Sequence, residues 1–176
     1  MKGVNGFWLV YAFLNLSNMG VEIERKFLVN KALWEKAPKG KTTAIKQGYL
    51  SVDPAATVRV RLKGEKAFLT IKGKNKGATR AEFEYEIPVT DAEEMLQTLA
   101  KNCIEKTRTI VELEGKTWEV DEFSGENEGL LMAELELETE AETFTKPDWI
   151  EKEVTDDNRY YNSSLVQNPF KNWGQQ

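Results

Sequence analysis

The chain has 176 residues, of which 40% are hydrophobic and 30% charged, and its formal net charge is −5. This length fits a single domain around one core, and the negative charge argues against a general affinity for nucleic acid. No histidine is present, which excludes Ser-His-Asp and Cys-His catalysis as well as histidine-based metal sites. Any metal must therefore be held by oxygen atoms, which favours Mg²⁺ or Mn²⁺ over Zn²⁺.

The first eighteen residues differ from the rest of the chain. Residues 7–14 form an apolar run behind Lys2, and this run is shorter than the roughly 20 residues that span a bilayer. A signal peptide is the alternative, but no A-x-A-like cleavage site precedes Val21. We expect residues 1–18 to be an upstream extension and residues 19–176 to form one domain of a cytoplasmic protein that does not bind membranes.

Strand-like alternation runs through most of the domain. The predicted strands cover residues 21–29, 43–51, 57–63, 66–73, 80–89, 104–113, 117–123 and 130–138. One short helix is predicted after Asn30, and a second begins at the capping box Thr90-Asp91-Ala92-Glu93. Pro147-Asp148-Trp149 is predicted to be a break, and Thr155 is predicted to cap a last helix through Tyr161. Eight strands with few helices indicate an α+β fold with a dominant antiparallel sheet.

Charged side chains alternate with apolar ones along these strands, and neighbouring charges often share one sign. Glu22, Glu24 and Lys26 lie on one face of the first strand, where two adjacent carboxylates are favourable only beside a cation. The commonest explanation of such alternation is an open antiparallel sheet with one wet face. The other is a sheet closed on itself, whose inward charged face would bring basic residues to phosphates and acidic residues to metal ions.

A series of short blocks then follows in a fixed order over about residues 21–165. The blocks are Glu22-x-Glu24-x-Lys26, Lys46-Gln47-Gly48-Tyr49-Leu50, Val58-Arg59-Val60-Arg61-Leu62, Thr70-Ile71-Lys72, Arg80-Ala81-Glu82-Phe83-Glu84, Glu105-Lys106-Thr107-Arg108, Trp118-Glu119-Val120-Asp121, Glu134-Leu135-Glu136 and Glu153-Val154-Thr155-Asp156. In this order they resemble the CYTH domain, also called the triphosphate tunnel metalloenzyme family. The resemblance implies an eight-stranded, closed antiparallel β-barrel around a tunnel that binds a triphosphate and divalent metal.

The resemblance also implies roles for particular residues. The metal ligands would be Glu22, Glu24, Glu82, Asp121, Glu134 and Glu136. The phosphate-binding residues would be Lys26, Lys46, Arg59, Arg61, Lys72, Arg80, Lys106, Arg108 and Arg159. Lys26, Tyr49 and Lys106 would act in catalysis, with Tyr49 either in the core or pointing into the tunnel near the reacting water. Glu82 and Glu84 match an acidic pair, of which we expect only one to face inward.

These roles predict metal-dependent hydrolysis of a triphosphate, with inorganic tripolyphosphate as the favoured substrate and Mg²⁺ or Mn²⁺ as the cofactor. One alternative is a class IV adenylate cyclase, which makes cyclic AMP and pyrophosphate from ATP. Others are a thiamine triphosphatase and a polyphosphate-binding module without turnover. The expected partner is a small triphosphate rather than nucleic acid or membrane, and the sequence leaves open whether the chain forms a homodimer.

Overall fold

The computed structural model describes residues 23–53, 55–74, 81–139 and 141–175. The strands are β1 (Ile23–Val29), β2 (Thr42–Asp53), β3 (Ala56–Lys63), β4 (Lys66–Gly73), β5 (Glu82–Ile87), β6 (Cys103–Leu113), β7 (Lys116–Ser124), β8 (Leu131–Leu137) and β9 (Ile150–Glu153). The α-helices are α1 (Lys31–Trp34), α2 (Val89–Thr98) and α3 (Asn162–Gln167), and 3₁₀ turns cover Gly125–Asn127, Asn158–Tyr160 and Phe170–Gln175. Within these ranges, no helix has the length and apolar character that a membrane span requires.

The expectation of an eight-stranded closed barrel is wrong. The nine strands form one antiparallel sheet in the order β5-β4-β3-β2-β6-β7-β8-β1-β9, which is not closed by hydrogen bonds between β5 and β9. An odd number of antiparallel strands leaves the two edge strands running in the same direction, so they cannot complete an antiparallel ring. The additional strand is β9, which pairs with the outer side of β1.

The C-terminal prediction also differs from the structure. Strand β9 begins directly after the predicted break at Pro147-Asp148-Trp149. The predicted helix from Thr155 through Tyr161 is replaced by a 3₁₀ turn at Asn158–Tyr160, and α3 begins only at Asn162. Asp157, rather than Thr155, caps the turn through its side chain, which accepts a hydrogen bond from the Arg159 backbone N–H at 3.1 Å.

The apolar residues of β3 and β4 form an outer layer with α2. Val60 and Ala67 are fully buried beneath Ala92 and Leu96 of the helix. Because side chains alternate along a strand, the residues on either side of Val60, Arg59 and Arg61, point to the opposite, concave face of the sheet. Covering the outer face with α2 therefore assigns the charged face of β3 to the interior.

Aromatic residues form a second outer layer behind β1, β7 and β8. Phe27 and Trp118 are buried with ring centroids 5.5 Å apart, and Trp149 lies 5.7 Å from Trp118 in an edge-to-face arrangement. Trp34 of α1 packs edge-to-face on Trp149 at 5.2 Å. Aromatic groups of this size contribute much of the buried apolar area, so they hold this half of the sheet while its other face carries charge.

The concave face itself is apolar at one end. Ile104, Phe123 and Met132 lie on the same strand faces as Lys106, Asp121 and Glu134 but two residues away, and they pack with Leu165 and Val166 of α3. These five buried residues form an apolar cluster at the end of the concave face where β6 begins and β7 ends. The charged part of the concave face is thereby separated from this end by α3.

Gly48 of β2 allows α2 to approach the sheet closely. A Cβ atom at this position would lie 2.7 Å from the Ala100 Cβ atom and 3.0 Å from a Leu96 methyl carbon. Gly48→Ala should force the helix away from the strand and reduce the free energy of unfolding by about 1–3 kcal/mol, the usual cost of overpacking. Urea denaturation measures this change. Gly174→Ala is the control, since an added Cβ there meets nothing within 4 Å, and equal losses in both variants would contradict this account of the packing.

Candidate functional site

The charged rows of the strands line a single cavity of about 690 Å³ on the concave face. Its basic lining residues are Lys26, Arg59, Arg61, Lys63, Lys72, Lys106 and Arg108. Its acidic lining residues are Glu24, Glu82, Glu84, Glu119, Glu134 and Glu136. The curvature of the sheet thus brings charges from seven strands, β1 and β3 to β8, into one enclosed space.

One wall carries arginines whose hydrogen-bonding capacity is not filled by the protein. Arg59 and Arg61 each donate from Nη2 to Glu84, at 3.5 and 3.1 Å, and Thr70 donates its hydroxyl to the same carboxylate at 2.8 Å. The Nε groups of both arginines are buried and have no hydrogen-bond partner among the described residues. Burial lowers the pKa of Arg61, and the charge of Arg59 lowers it further. This excess of positive charge and buried donors favours an anionic ligand.

The opposite wall is a buried network of ion pairs. Lys26 donates from Nζ to Glu24 at 2.5 Å and to Glu134 at 2.7 Å. Arg108 donates to Asp121 at 2.6 and 2.7 Å and to Glu134 at 2.7 Å. The register explains these pairs, because Lys26 lies directly opposite Glu134, and Arg108 directly opposite Asp121.

Two further contacts extend this network. Lys106 pairs with Asp121, which is 1% exposed, and Arg108 pairs with Glu119 at the edge of the cavity. Burial alone would lower the pKa of Arg108, but its hydrogen bonds to Asp121 and the charges of its acidic partners raise that pKa above its usual range. The arginine is therefore held as a fixed cation, with its side chain oriented by three carboxylates.

The carboxylates of Glu24 and Glu134 differ in their electrostatic environment. Burial would raise the pKa of Glu134, but the charges of Lys106, Lys26 and Arg108 hold that pKa well below its usual range. Burial raises the pKa of Glu24, and the neighbouring charge of Glu134 raises it further, which Lys26 only partly offsets. A second cation beside Glu24 would relieve this unfavourable burial of its charge.

The acidic wall suits a metal ion that is shared with a phosphate group. Among the residues that the structure describes, no three acidic or cysteine side chains converge to form a metal cage. Glu24 and Glu134 nevertheless interact with each other, and Glu136 lies directly opposite Glu24 in the strand register. Mg²⁺ is commonly held by one or two carboxylates together with substrate phosphates. The donor set therefore fits a hard divalent cation that completes its coordination with ligand oxygens.

Most of the site residues predicted from the sequence meet in this cavity. The lining includes Glu24, Lys26, Tyr49, Arg59, Arg61, Lys72, Glu82, Lys106, Arg108, Glu134 and Glu136. Asp121 lies behind them and reaches the cavity only through its bonds to Lys106 and Arg108. Tyr49 satisfies both alternatives, since it lines the cavity and also packs against the apolar cluster that contains Ile104.

Other predicted residues lie elsewhere. Lys46 does not line the cavity: its strand neighbours Ile45 and Gln47 face inward, and its own side chain pairs with Glu105 at 2.8 Å on the other face. Arg159 pairs with Asp157 at 2.6 Å and is largely exposed outside the cavity. Glu22 and Arg80 lie outside the described residues.

The expectation that only one of Glu82 and Glu84 faces inward is wrong. Both line the cavity, where Glu82 pairs with Lys72 at 2.7 Å and Glu84 pairs with the two arginines of β3. The physical reason is the period of a strand, which places residues two apart on the same face. The basic wall therefore carries its own partial counter-charge.

Sequence reasoning missed several lining residues. Glu119 and Lys63 alternate with apolar residues along their strands, so their spacing already indicated that they lie on the charged face. Gln47 could have been found from its position two residues before Tyr49 on the same strand face. Tyr161, Asn162 and Ser163 of the C-terminal segment had no such signal, because only the folding of α3 over the sheet brings them to the cavity.

Comparison with known proteins agrees with this architecture. The CYTH domain family model matches residues 20–167, and the chain therefore belongs to the CYTH domain family. It is 52% identical over 156 residues to an inorganic triphosphatase of Acetivibrio thermocellus, and the aligned region covers 88% of this chain and 99% of that protein. It is 37% identical over 152 residues to an inorganic triphosphatase of Nitrosomonas europaea, and the aligned region covers 82% of this chain and 96% of that protein. A crystal structure of an inorganic triphosphatase superposes with a TM-score of 0.64 at 34% identity, covering 82% of this chain and 93% of that one.

Glu134 is the centre of the ionic network, so its charge should matter for stability. Glu134→Gln keeps the shape of the side chain but removes the negative charge that Lys26 and Arg108 share. We expect the free energy of unfolding to fall by about 3 kcal/mol, because two buried cations lose a partner. Urea denaturation measures the difference. Glu86→Gln is the matched control: its pair with Lys66 is more than half exposed, and its loss should cost less than about 1 kcal/mol. Similar losses in the two variants would contradict the proposed importance of the buried network.

Proposed function

We propose that this protein is a metal-dependent inorganic triphosphatase that hydrolyses tripolyphosphate within the cavity. The observation that carries the proposal is the pair of buried, unpartnered arginine Nε groups that share one cavity with the interacting carboxylates of Glu24 and Glu134. Such a site can neutralise a polyanion and hold its counter-cation at the same time. The two curated relatives named inorganic triphosphatase support the same conclusion.

Basic side chains on both walls would bind the triphosphate. Arg59, Arg61 and Lys72 approach it from β3 and β4, and Lys26, Lys106 and Arg108 approach it from β1 and β6. Arginine forks and lysine point charges stabilise phosphate oxygens, and phosphoryl transfer requires little more of a protein than such positioning and charge neutralisation. Glu84 and Asp121 hold the arginines of each wall in orientation before the substrate arrives.

Mg²⁺ or Mn²⁺ is the proposed cofactor. Glu24, Glu134 and Glu136 would hold it, with Glu22 as a further ligand predicted from the sequence. When bound, such an ion neutralises phosphate charge and makes a water molecule more acidic. Asp121 and Glu82 were also predicted as ligands. Asp121 lies behind the lining of the cavity and Glu82 belongs to the basic wall, so we propose that they orient Lys106 and Lys72 instead.

The chemistry is the attack of water on a terminal phosphorus. A new P–O bond forms to the water oxygen, the bond to the bridging oxygen breaks, and orthophosphate and pyrophosphate leave. Burial would lower the pKa of Lys26, but its bonds and charge interactions with Glu134 and Glu24 raise it, so Lys26 stays charged and stabilises phosphate oxygens. We propose that the Tyr49 side chain positions the attacking water, and that the proton of this water is taken up by the leaving pyrophosphate.

Product analysis tests the proposed reaction. With Mg²⁺ or Mn²⁺, we expect the protein to release orthophosphate and pyrophosphate from tripolyphosphate, and a chelator should abolish the release. The same assay is run with ATP and with thiamine triphosphate. Cyclic AMP and pyrophosphate from ATP would identify an adenylate cyclase instead. Preferred cleavage of thiamine triphosphate would identify a thiamine triphosphatase, and binding of tripolyphosphate without any product would leave only a binding module.

A substitution on the basic wall tests the location of the site. Arg61→Ala removes a buried fork that faces the cavity, so we expect kcat/KM for tripolyphosphate to fall by about 100-fold or more, as for other preorganised donors to a developing anion. Steady-state kinetics measure the change. Lys66→Ala is the control, because Lys66 lies on the neighbouring strand but pairs with Glu86 at the exposed surface. Unchanged kinetics in Arg61→Ala would show that the basic rows do not bind the substrate.

A further inference from the structure

Gln47 has a buried amide group whose bonding the fold does not explain. The residue lies on β2, is 1% exposed and faces the cavity. Its Nε2 atom has no hydrogen-bond partner among the described residues. A buried amide that lacks its partner destabilises a protein by about 1–3 kcal/mol. An apolar side chain of similar shape would avoid that loss, so the amide needs a reason other than packing.

The neighbours of Gln47 on the sheet cannot accept its hydrogen bond. Arg61 lies directly opposite on β3, and Ile104 lies directly opposite on β6. Lys106 lies two residues further along β6 and also faces the cavity. Arginine and lysine side chains only donate, and isoleucine has no polar atom. The residues paired with Gln47 across the sheet therefore offer its amide N–H no side-chain acceptor.

Three buried donors without partners in the described part of the chain lie on the neighbouring strands β2 and β3, on the face that lines the cavity. Besides Gln47 Nε2, these are the Nε group of Arg61, which lies directly opposite Gln47, and the Nε group of Arg59, which lies two register pairs further along. We propose that Gln47 donates its amide N–H to a phosphate oxygen of the triphosphate, between the two arginines and Lys106. This inference rests on the proposed function and adds a neutral substrate-binding residue to its charged ones.

A neutral donor has a specific effect at this place. Burial and the charge of Arg59 already lower the pKa of Arg61, so another cation at this point would add repulsion. An amide supplies a directed hydrogen bond without adding charge. Gln47 therefore fixes the position of a phosphate oxygen while the arginines and lysines neutralise it.

The test replaces the amide with an apolar side chain of similar length. Gln47→Met should weaken tripolyphosphate binding and raise KM about ten- to hundredfold, the range expected for a lost hydrogen bond to a charged group. The melting temperature without ligand should stay unchanged or rise, since no bond within the protein is lost. Calorimetry with tripolyphosphate in the presence of a chelator measures binding without turnover, and steady-state kinetics give kcat and KM separately.

Two further variants sharpen the result. Gln97→Met, on the exposed side of α2, is the matched control and should change neither binding nor melting temperature. Gln47→Glu should weaken binding more than Gln47→Met does, because it adds a negative charge beside the phosphate. The same variant should raise the melting temperature without ligand, since its carboxylate accepts from Arg61.

The remaining outcomes test the role of Gln47 and the proposed hydrolysis separately. A lower melting temperature in Gln47→Met with unchanged affinity would show that the amide is held within the protein, and would overturn the inference. Wild-type protein that binds tripolyphosphate without cleaving it would overturn the proposed hydrolysis. The affinities of wild type and Gln47→Met for tripolyphosphate would still test the role of Gln47. Wild-type protein that binds no tripolyphosphate, either with a chelator or with Mg²⁺, would overturn both.

Discussion

The buried ion pair between Lys26 and Glu134 allows the sheet to enclose charged side chains even though burial of a charge is costly. Ionised groups are costly to remove from water, and breaking such a pair leaves an uncompensated charge. The sheet offsets this cost by placing opposite charges on directly opposed residues of β1 and β8, with Arg108 and Asp121 doing the same between β6 and β7. The charged side of the sheet can then be enclosed, and the apolar side can face helices and aromatic residues.

This arrangement reverses the usual placement of apolar and polar side chains in a small protein. The aromatic layer around Trp118 and the helix α2 lie outside the curved sheet, and the polar groups lie within it. The apolar contacts of Leu165 and Val166 at one end of the concave face are the exception. Stability therefore comes largely from the outer layers, which leaves the inner face available for chemistry.

The sequence carried much of this information because strand alternation is local. The residues Val58 to Lys63 show by themselves that one face of β3 is basic and the other apolar, and the outer packing of Val60 decides which face is inside. Lys46 shows where the reasoning stops, since the family resemblance implied an inward, phosphate-binding position for it, while Gln47 and Tyr49 occupy the inner face. Charge alone marks a polar face, but only pairing with β3 and β6 shows which face is enclosed.

Elements that depend on distant partners could not be predicted. Strand β9 has only four residues, with mixed charge, and its extended form is supported by pairing with β1. The bonds of Val154 N–H to the Lys26 carbonyl and of Asn30 N–H to the Trp149 carbonyl bracket this short strand. The closed barrel was therefore a wrong expectation for a reason that no local pattern reveals: one additional strand changes the direction of the sheet's last edge.

The ion pairs of the acidic wall have a thermodynamic consequence for the proposed ligands. Lys26 is shared between Glu24 and Glu134, so a cation that binds these carboxylates competes with Lys26 and frees its ammonium group. A phosphate that attracts Lys26 frees the carboxylates in the same way. Metal and polyanion would thus each increase the affinity of the other by an equal factor, as linkage requires. The salt bridge would then act as an exchangeable internal counter-ion, and the two proposed ligands would bind cooperatively.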